Sequence, residues 1–146
     1  MSKPTDALNE SQRRERNLAA VEAAFRSVGS ADAVSQMTQY TDDLVLELPF
    51  ANPFKRLEGK HSTIAYLNKA FMTYKMQLTI TEVHLCLDPD ELIVEFVSDG
   101  RLATTGKPYA NRYINVFRFR GGKICFQREF FNPKISDAAL TTAPAP

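Results

Sequence analysis

Tyr109–Pro133, YANRYINVFRFRGGKICFQREFFNP, is the stretch that decides the fold. Gly121 and Gly122 accept the positive φ that a two-residue hairpin turn demands, so the stretch predicts a β-hairpin with a strand on either side. Side chains alternate between faces along a strand. Tyr109, Asn111, Tyr113, Asn115, Phe117 and Phe119 therefore share one face, and Ala110, Arg112, Ile114, Val116, Arg118 and Arg120 the other. After the turn, the same rule groups Cys125, Gln127, Glu129 and Phe131 apart from Ile124, Phe126, Arg128 and Phe130. Two phenols, two asparagines, a glutamine and a carboxyl group thus converge on one surface, which suits a pocket better than a core.

Upstream, Leu18, Val21, Phe25 and Val28 fall at helical spacing between Ser11 and Val28. Arg13, Arg14, Arg16 and Glu22 supply the solvated face of this first helix, and Gly29 ends it. Ser30 is placed to cap a second short helix with Val34, Met37 and Tyr40 on its apolar stripe. DDLVLELPF (42–50) reads as a strand. Pro49 and Pro53 make the segment after it a loop able to roof a pocket, because proline lacks the backbone donor. A third helix carries Ile64, Leu67, Phe71 and Tyr74 on its stripe. Strands over 76–87 and 91–104 follow, joined at Asp88-Pro89-Asp90. The order gives an α+β fold: three N-terminal helices packed on a strongly curved antiparallel sheet, a cone-shaped α+β barrel enclosing a cavity. Residues 1–146 form a single domain in this reading, with 1–10 and 137–146 expected to be flexible.

Composition narrows the function. Eighteen Lys and Arg against 17 Asp and Glu give a formal net charge of +1, so no global field points to nucleic acid. No apolar run reaches the length of a signal peptide core or a membrane span, and the expected location is the cytoplasm. Cys86 and Cys125 read as free thiols. His61 and His84 sit at no metal-ligand spacing, and there is neither a glycine-rich phosphate loop nor a Gly-x-Ser-x-Gly elbow. The expectation is no metal and no cofactor.

The order of elements, with YTDDLVLELPFANPF, LEGKHSTIAYL and the Tyr109–Pro133 hairpin, resembles the nuclear-transport-factor-two-like superfamily, in its SnoaL-like, ketosteroid-isomerase-related branch. The resemblance covers most of residues 15–135 and implies a conical fold with a deep pocket. Ketosteroid isomerases, an established example of pKa tuning, carry a carboxylate base before the proline where this chain has Leu48, and a protonated aspartate where it has Asn115. Classical steroid isomerisation is therefore not implied. The phenazine-biosynthesis members use a glutamate and a tyrosine that match Glu129 and Tyr109, with Tyr66 at the place of their helix histidine. Semipinacolase-type members likewise work with tyrosines and an acid, without a cofactor.

Glu129 among aromatics has its charged form disfavoured, which makes it the candidate acid or base; the alternative is a fixed pair with a buried arginine or with Gln127. Tyr109 and Tyr113 complete the catalytic candidates as ligands of a substrate oxygen. Asn115, Gln127 and Tyr66 are candidates for polar substrate contacts, with Phe50, Phe54 and Phe117 as walls. The function expected is a cofactor-independent acid–base enzyme, of isomerase, cyclase or dehydratase type, on an apolar oxygenated small molecule in secondary metabolism. A non-catalytic binding module or an interaction protein of the same fold is the alternative. The second face of the hairpin, with Ile114, Val116, Ile124, Phe126 and Phe130, calls for cover. A homodimer through the sheet is expected, or partial cover by the segment around Ile135 and Leu140.

Overall fold

The computed structural model describes residues 7–141. Helices α1 (Glu10–Gly29), α2 (Ala33–Met37) and α3 (Lys60–Thr73) and a fourth, α4 (Pro133–Leu140), lie with a seven-stranded sheet. The strands are β1 (Tyr40–Leu48), β2 (Lys55–Glu58), β3 (Tyr74–Leu85), β4 (Glu91–Leu102), β5 (Pro108–Tyr109), β6 (Arg112–Arg120) and β7 (Lys123–Phe131). Their order is β2-β1-β7-β6-β4-β3, with β5 beside β4. The sheet is curved and open, with β2 and β3 at its ends, and with the helices it makes the expected α+β cone. It is not wholly antiparallel: β1 runs parallel to β7, with Leu46 opposite Gln127.

The hairpin behaves as its alternation predicts along β6. Tyr113, Asn115, Phe117 and Phe119 are buried, while Arg112, Ile114, Arg118 and Arg120 are exposed. Gly121 and Gly122 take φ of 59° and 81°, the turn their lack of a Cβ permits. Along β7 the expectation fails by one residue. Arg118 pairs with Phe126 but Phe119 pairs with Ile124, leaving Cys125 as an inserted residue. This bulge turns Ile124 into the core, where it is fully buried, instead of onto the outer face. Phe126, Arg128 and Phe130 remain outside.

Asn9 caps α1 with a reciprocal bond to Gln12, and Ala20, Val21, Ala24, Phe25 and Val28 are the face it buries. Its arginines do not form a solvated face. Arg13 pairs with Asp90, Arg14 donates to the Cys86 carbonyl at 2.9 Å, and Asn17 donates to Pro89 O and Asp90 Oδ1, both at 3.0 Å. Together they pin the β3–β4 turn to the helix. Asp32, not Ser30, caps α2, accepting from Ser35 N. Tyr40 opens β1, three residues past α2, and Tyr74 opens β3, one residue past α3, so neither belongs to the helix to which periodicity assigned it. The loop after Pro49 contains β2, which pairs with β1. Of the tails, 1–6 and 142–146 lie outside the described residues. Residues 137–140 are helical: Asn132 accepts from Lys134 N as the cap, and Pro133 occupies the first turn, where its missing donor is harmless. Among the described residues, no helix is long and apolar enough to cross a membrane.

Candidate functional site

The concave face of the sheet, α1–α3 and α4 enclose a cavity of about 320 Å³. Phe25, Met37, Leu46, Leu48, Leu67, Phe71, Leu78 and Phe96 supply apolar walls. The polar part is unusual in kind: all five tyrosines of the chain, Tyr40, Tyr66, Tyr74, Tyr109 and Tyr113, border this space. Glu129, Gln127, Gln36, Thr63 and Ser136 join them, while none of the described residues lining it is Lys, Arg or His. Phe50 and Leu140, each 53% exposed, belong to the rim.

Glu129 comes from the C-terminal half of β7, directly opposite Asn115 of β6. Asn115 Nδ2 donates to Glu129 Oε1 at 3.2 Å, and Gln127 Nε2, two residues away on the same face, donates to that oxygen at 3.5 Å. Among the described residues nothing bonds Oε2. The carboxyl group borders the cavity, and among the described residues no cation lies beside it. Burial raises its pKa above the ordinary carboxylate value, and the two amides offset only part of that rise. No buried arginine pairs with it; the partners are amides.

The phenols divide by what their hydroxyls already do. Tyr113 stacks on Phe96, with ring centres 4.6 Å apart and planes 6° from parallel, and its hydroxyl donates to Ser98 Oγ at 2.9 Å. Tyr40 donates to Gln127 Oε1. Tyr109 accepts from Asn111 Nδ2 at 2.8 Å, which leaves its own proton available. The hydroxyls of Tyr66 and Tyr74 bond no other described residue. Burial raises the pKa of Tyr40, Tyr66 and Tyr113, reinforced in each by the nearby Glu129 charge, and pushes Tyr74 up to about 12. Tyr40, Tyr66, Tyr74 and Tyr113 are therefore neutral at physiological pH.

Of the residues picked from sequence, Glu129, Tyr109, Tyr113, Gln127, Tyr66 and Phe50 meet at the cavity. Three do not. Asn115 is fully buried behind Glu129 and spends its amide on that carboxyl rather than on the cavity. Phe117 has no exposed surface and sits in the core against Phe25, at a ring distance of 6.3 Å. Phe54 is 55% exposed and lies off the cavity. Sequence reasoning missed Tyr40, Tyr74 and Gln36. Tyr40 keeps the even parity of Leu44, Leu46 and Leu48 in β1, a signal that its face is the buried one.

Elsewhere, strand pairing brings together three groups that sequence spacing kept apart. A register shift between Ile80 and Glu82 sets Glu82 opposite Glu95, and His84 Nε2 lies 2.6 Å from Glu95 Oε2 on the outer face. That bond raises the His84 pKa, and the Glu82 and Glu95 charges add to the rise.

The model of the SnoaL-like domain matches residues 21–127, and the chain belongs to that family. Its relatives include the uncharacterized protein YesE of Bacillus subtilis, 32% identical over 113 residues that are 75% of this chain and 76% of YesE. Another is the uncharacterized PhzA/B-like protein PA3332 of Pseudomonas aeruginosa, 31% identical over 112 residues, 75% of this chain and 79% of that one. Among solved structures, a Bacillus subtilis protein provisionally described as an isomerase superposes with a TM-score of 0.84 at 27% identity. The match covers 93% of this chain and 98% of that one.

Proposed function

We propose that the cavity binds an uncharged, largely apolar small molecule bearing an oxygen function, and that Glu129 moves a proton on it in an isomerase-, cyclase- or dehydratase-type reaction. One observation carries this reading: a carboxyl group enclosed without a cation, held by two amides on Oε1 and unbonded at Oε2. Desolvation makes its ionised form a stronger base and keeps its acid form available at higher pH, so one group can take a proton and return it. The free hydroxyls of Tyr66 and Tyr74 and the Tyr109 proton are the donors for a substrate oxygen, and they stabilise charge that develops there. Tyr113, committed to Ser98, serves as a stacked wall. The provisional description of the Bacillus subtilis protein as an isomerase and the PhzA/B-like name of PA3332 agree in kind with this reading.

The test does not need the natural substrate. Cyclic ketones and enones are incubated with the protein in deuterium oxide and examined by mass spectrometry. Glu129 takes a proton from the carbon beside the carbonyl, a tyrosine donates to the carbonyl oxygen, and the exchanged carboxyl returns deuterium to carbon. Wild type should incorporate deuterium and Glu129→Gln should not. Equal incorporation by both removes Glu129 from the chemistry, and binding without incorporation favours a carrier. The carrier reading has its own support in buried Leu48, which lines the cavity where the steroid isomerases keep their base.

We also propose a two-fold homodimer through the outer sheet face. Ile93, Val97, Ile114, Val116, Phe126 and Phe130 form an apolar field there, with acids on the β3–β4 side (Glu82, Glu91, Glu95) and arginines on the β6–β7 side (Arg112, Arg118, Arg128). The helix α4 leaves this field bare, because Pro133, Ser136, Asp137 and Leu140 line the cavity instead. A second copy related by a two-fold axis lays acid against base. Light scattering should give twice the chain mass, and Ile114→Glu should give a monomer; a wild-type monomer overturns this.

A further inference from the structure

The hydrogen bonds around the acid run in one direction. Gln36, 6% exposed on α2, and Tyr40, 2% exposed in β1, both border the cavity beside this acid. A buried phenol needs an acceptor for its proton. For Tyr40 that acceptor is Gln127 Oε1. An amide carries its carbonyl and its NH2 on opposite sides, so a captured carbonyl leaves the NH2 to face the other way. Gln127 Nε2 accordingly lies 3.5 Å from Glu129 Oε1. Asn115 meets the same oxygen from β6, and among the described residues no donor reaches Oε2.

We propose that Tyr40 is a positioning residue for Glu129 and acts through Gln127: its hydroxyl holds the Gln127 carbonyl, turns the amide NH2 onto Glu129 Oε1, and so reserves Oε2 for the bound molecule. Without the hydroxyl, Gln127 is free to rotate by half a turn and present its carbonyl to the carboxyl group, an arrangement that suits a protonated Glu129 and opposes an ionised one. The groups facing Glu129 are Asn115 and Tyr113 on β6, Gln127 on its own strand, Tyr40 on β1 and Tyr66 on α3. None is a cation, so the amides are what favour the ionised state. The consequence for chemistry rests on the reading of Glu129 as the proton carrier, but the arrangement itself is measurable without any turnover.

The experiment is a double-mutant cycle read by carbon NMR titration of the Glu129 carboxyl in the ligand-free protein. Tyr40→Phe should lower the ionisation constant of Glu129 by a factor of about three or more, the worth of a modest hydrogen bond. Gln127→Met should lower it at least as much. In the Gln127→Met background, Tyr40→Phe should change nothing, because the group through which it acts is gone. An equal effect of Tyr40→Phe in both backgrounds, or no effect in either, overturns the proposal. Should Tyr40→Phe fail to fold, wild type decides: the Gln127 carboxamide proton resonances should titrate together with Glu129, and their indifference to that titration overturns it. The deuterium exchange described above fails separately, since a silent Glu129 could still be oriented by Tyr40.

Discussion

Glutamine in place of Glu129 keeps the shape of the side chain and removes its charge, and the structure fixes how stability must respond. In the unfolded chain this carboxyl ionises near its ordinary value of 4.5, while burial raises the folded value. Between the two, the unfolded chain gives up a proton that the folded chain keeps, so the group's contribution is fully present below the unfolded pKa. It is lost as pH climbs through the folded one. Enclosing an ionised carboxylate costs several kcal/mol, and two amide donors at 3.2 and 3.5 Å return about 1–2 kcal/mol each at such lengths. A net penalty of about 1–3 kcal/mol remains at alkaline pH. Glu129→Gln should match wild type in acid and exceed it by that amount in base, a rise in Tm of roughly 3 °C for each kcal/mol in a chain of this size. Circular-dichroism melts of both proteins across about pH 4 to 9 provide the measurement. Curves that stay parallel over the whole range would refute the enclosure of the carboxyl group, and with it the argument for its basicity.

Other outcomes follow from packing. Gly100 of β4 lies so close to β3 that an added Cβ would sit 1.9 Å from the Lys75 carbonyl oxygen. Gly100→Ala should therefore lower stability by about 1–3 kcal/mol or more in a denaturant titration. Phe117→Ala should cost about 3–5 kcal/mol, because it empties the core, whereas Phe50→Ala at the rim should leave the denaturation midpoint nearly unchanged and alter ligand affinity. The His84–Glu95 bond should favour the fold fully below pH 6.5 and be lost as pH rises through the elevated His84 pKa. Proton NMR of the imidazole should show that elevation in wild type and its loss in Glu95→Gln.

Sequence made the alternating faces of β6 legible because Arg112, Arg118 and Arg120 mark one parity and Tyr113, Phe117 and Phe119 the other, and periodicity then needs no tertiary knowledge. The same logic failed on β7, where one inserted residue at Cys125 reverses the parity of everything before it. The parallel pairing of β1 with β7 joins segments some eighty residues apart, beyond any local signal. Helix α4 was readable in principle, since Asn132-Pro133 is a cap followed by a first-turn proline, yet the small-residue tail beyond it masked the pattern. In the site, alternation was enough to find Glu129, Gln127 and Tyr113, which share one hairpin, and Tyr109, which the structure sets just before it in β5. It could not tell that Asn115 faces the acid rather than the cavity or that Phe117 belongs to the core, because both depend on what lies across the sheet. Tyr40, Tyr74 and Gln36 come from other elements and converge only in three dimensions.

The gathering of every tyrosine around one space has a practical consequence, for the chain contains no tryptophan. The near-ultraviolet absorption and emission of this molecule therefore arise in the walls of its cavity. A guest that settles there displaces the surroundings of all these chromophores together, while a molecule adhering to the outer sheet leaves them undisturbed. The protein carries an intrinsic optical gauge of occupancy, and unlabelled samples can be surveyed against compound libraries by light alone.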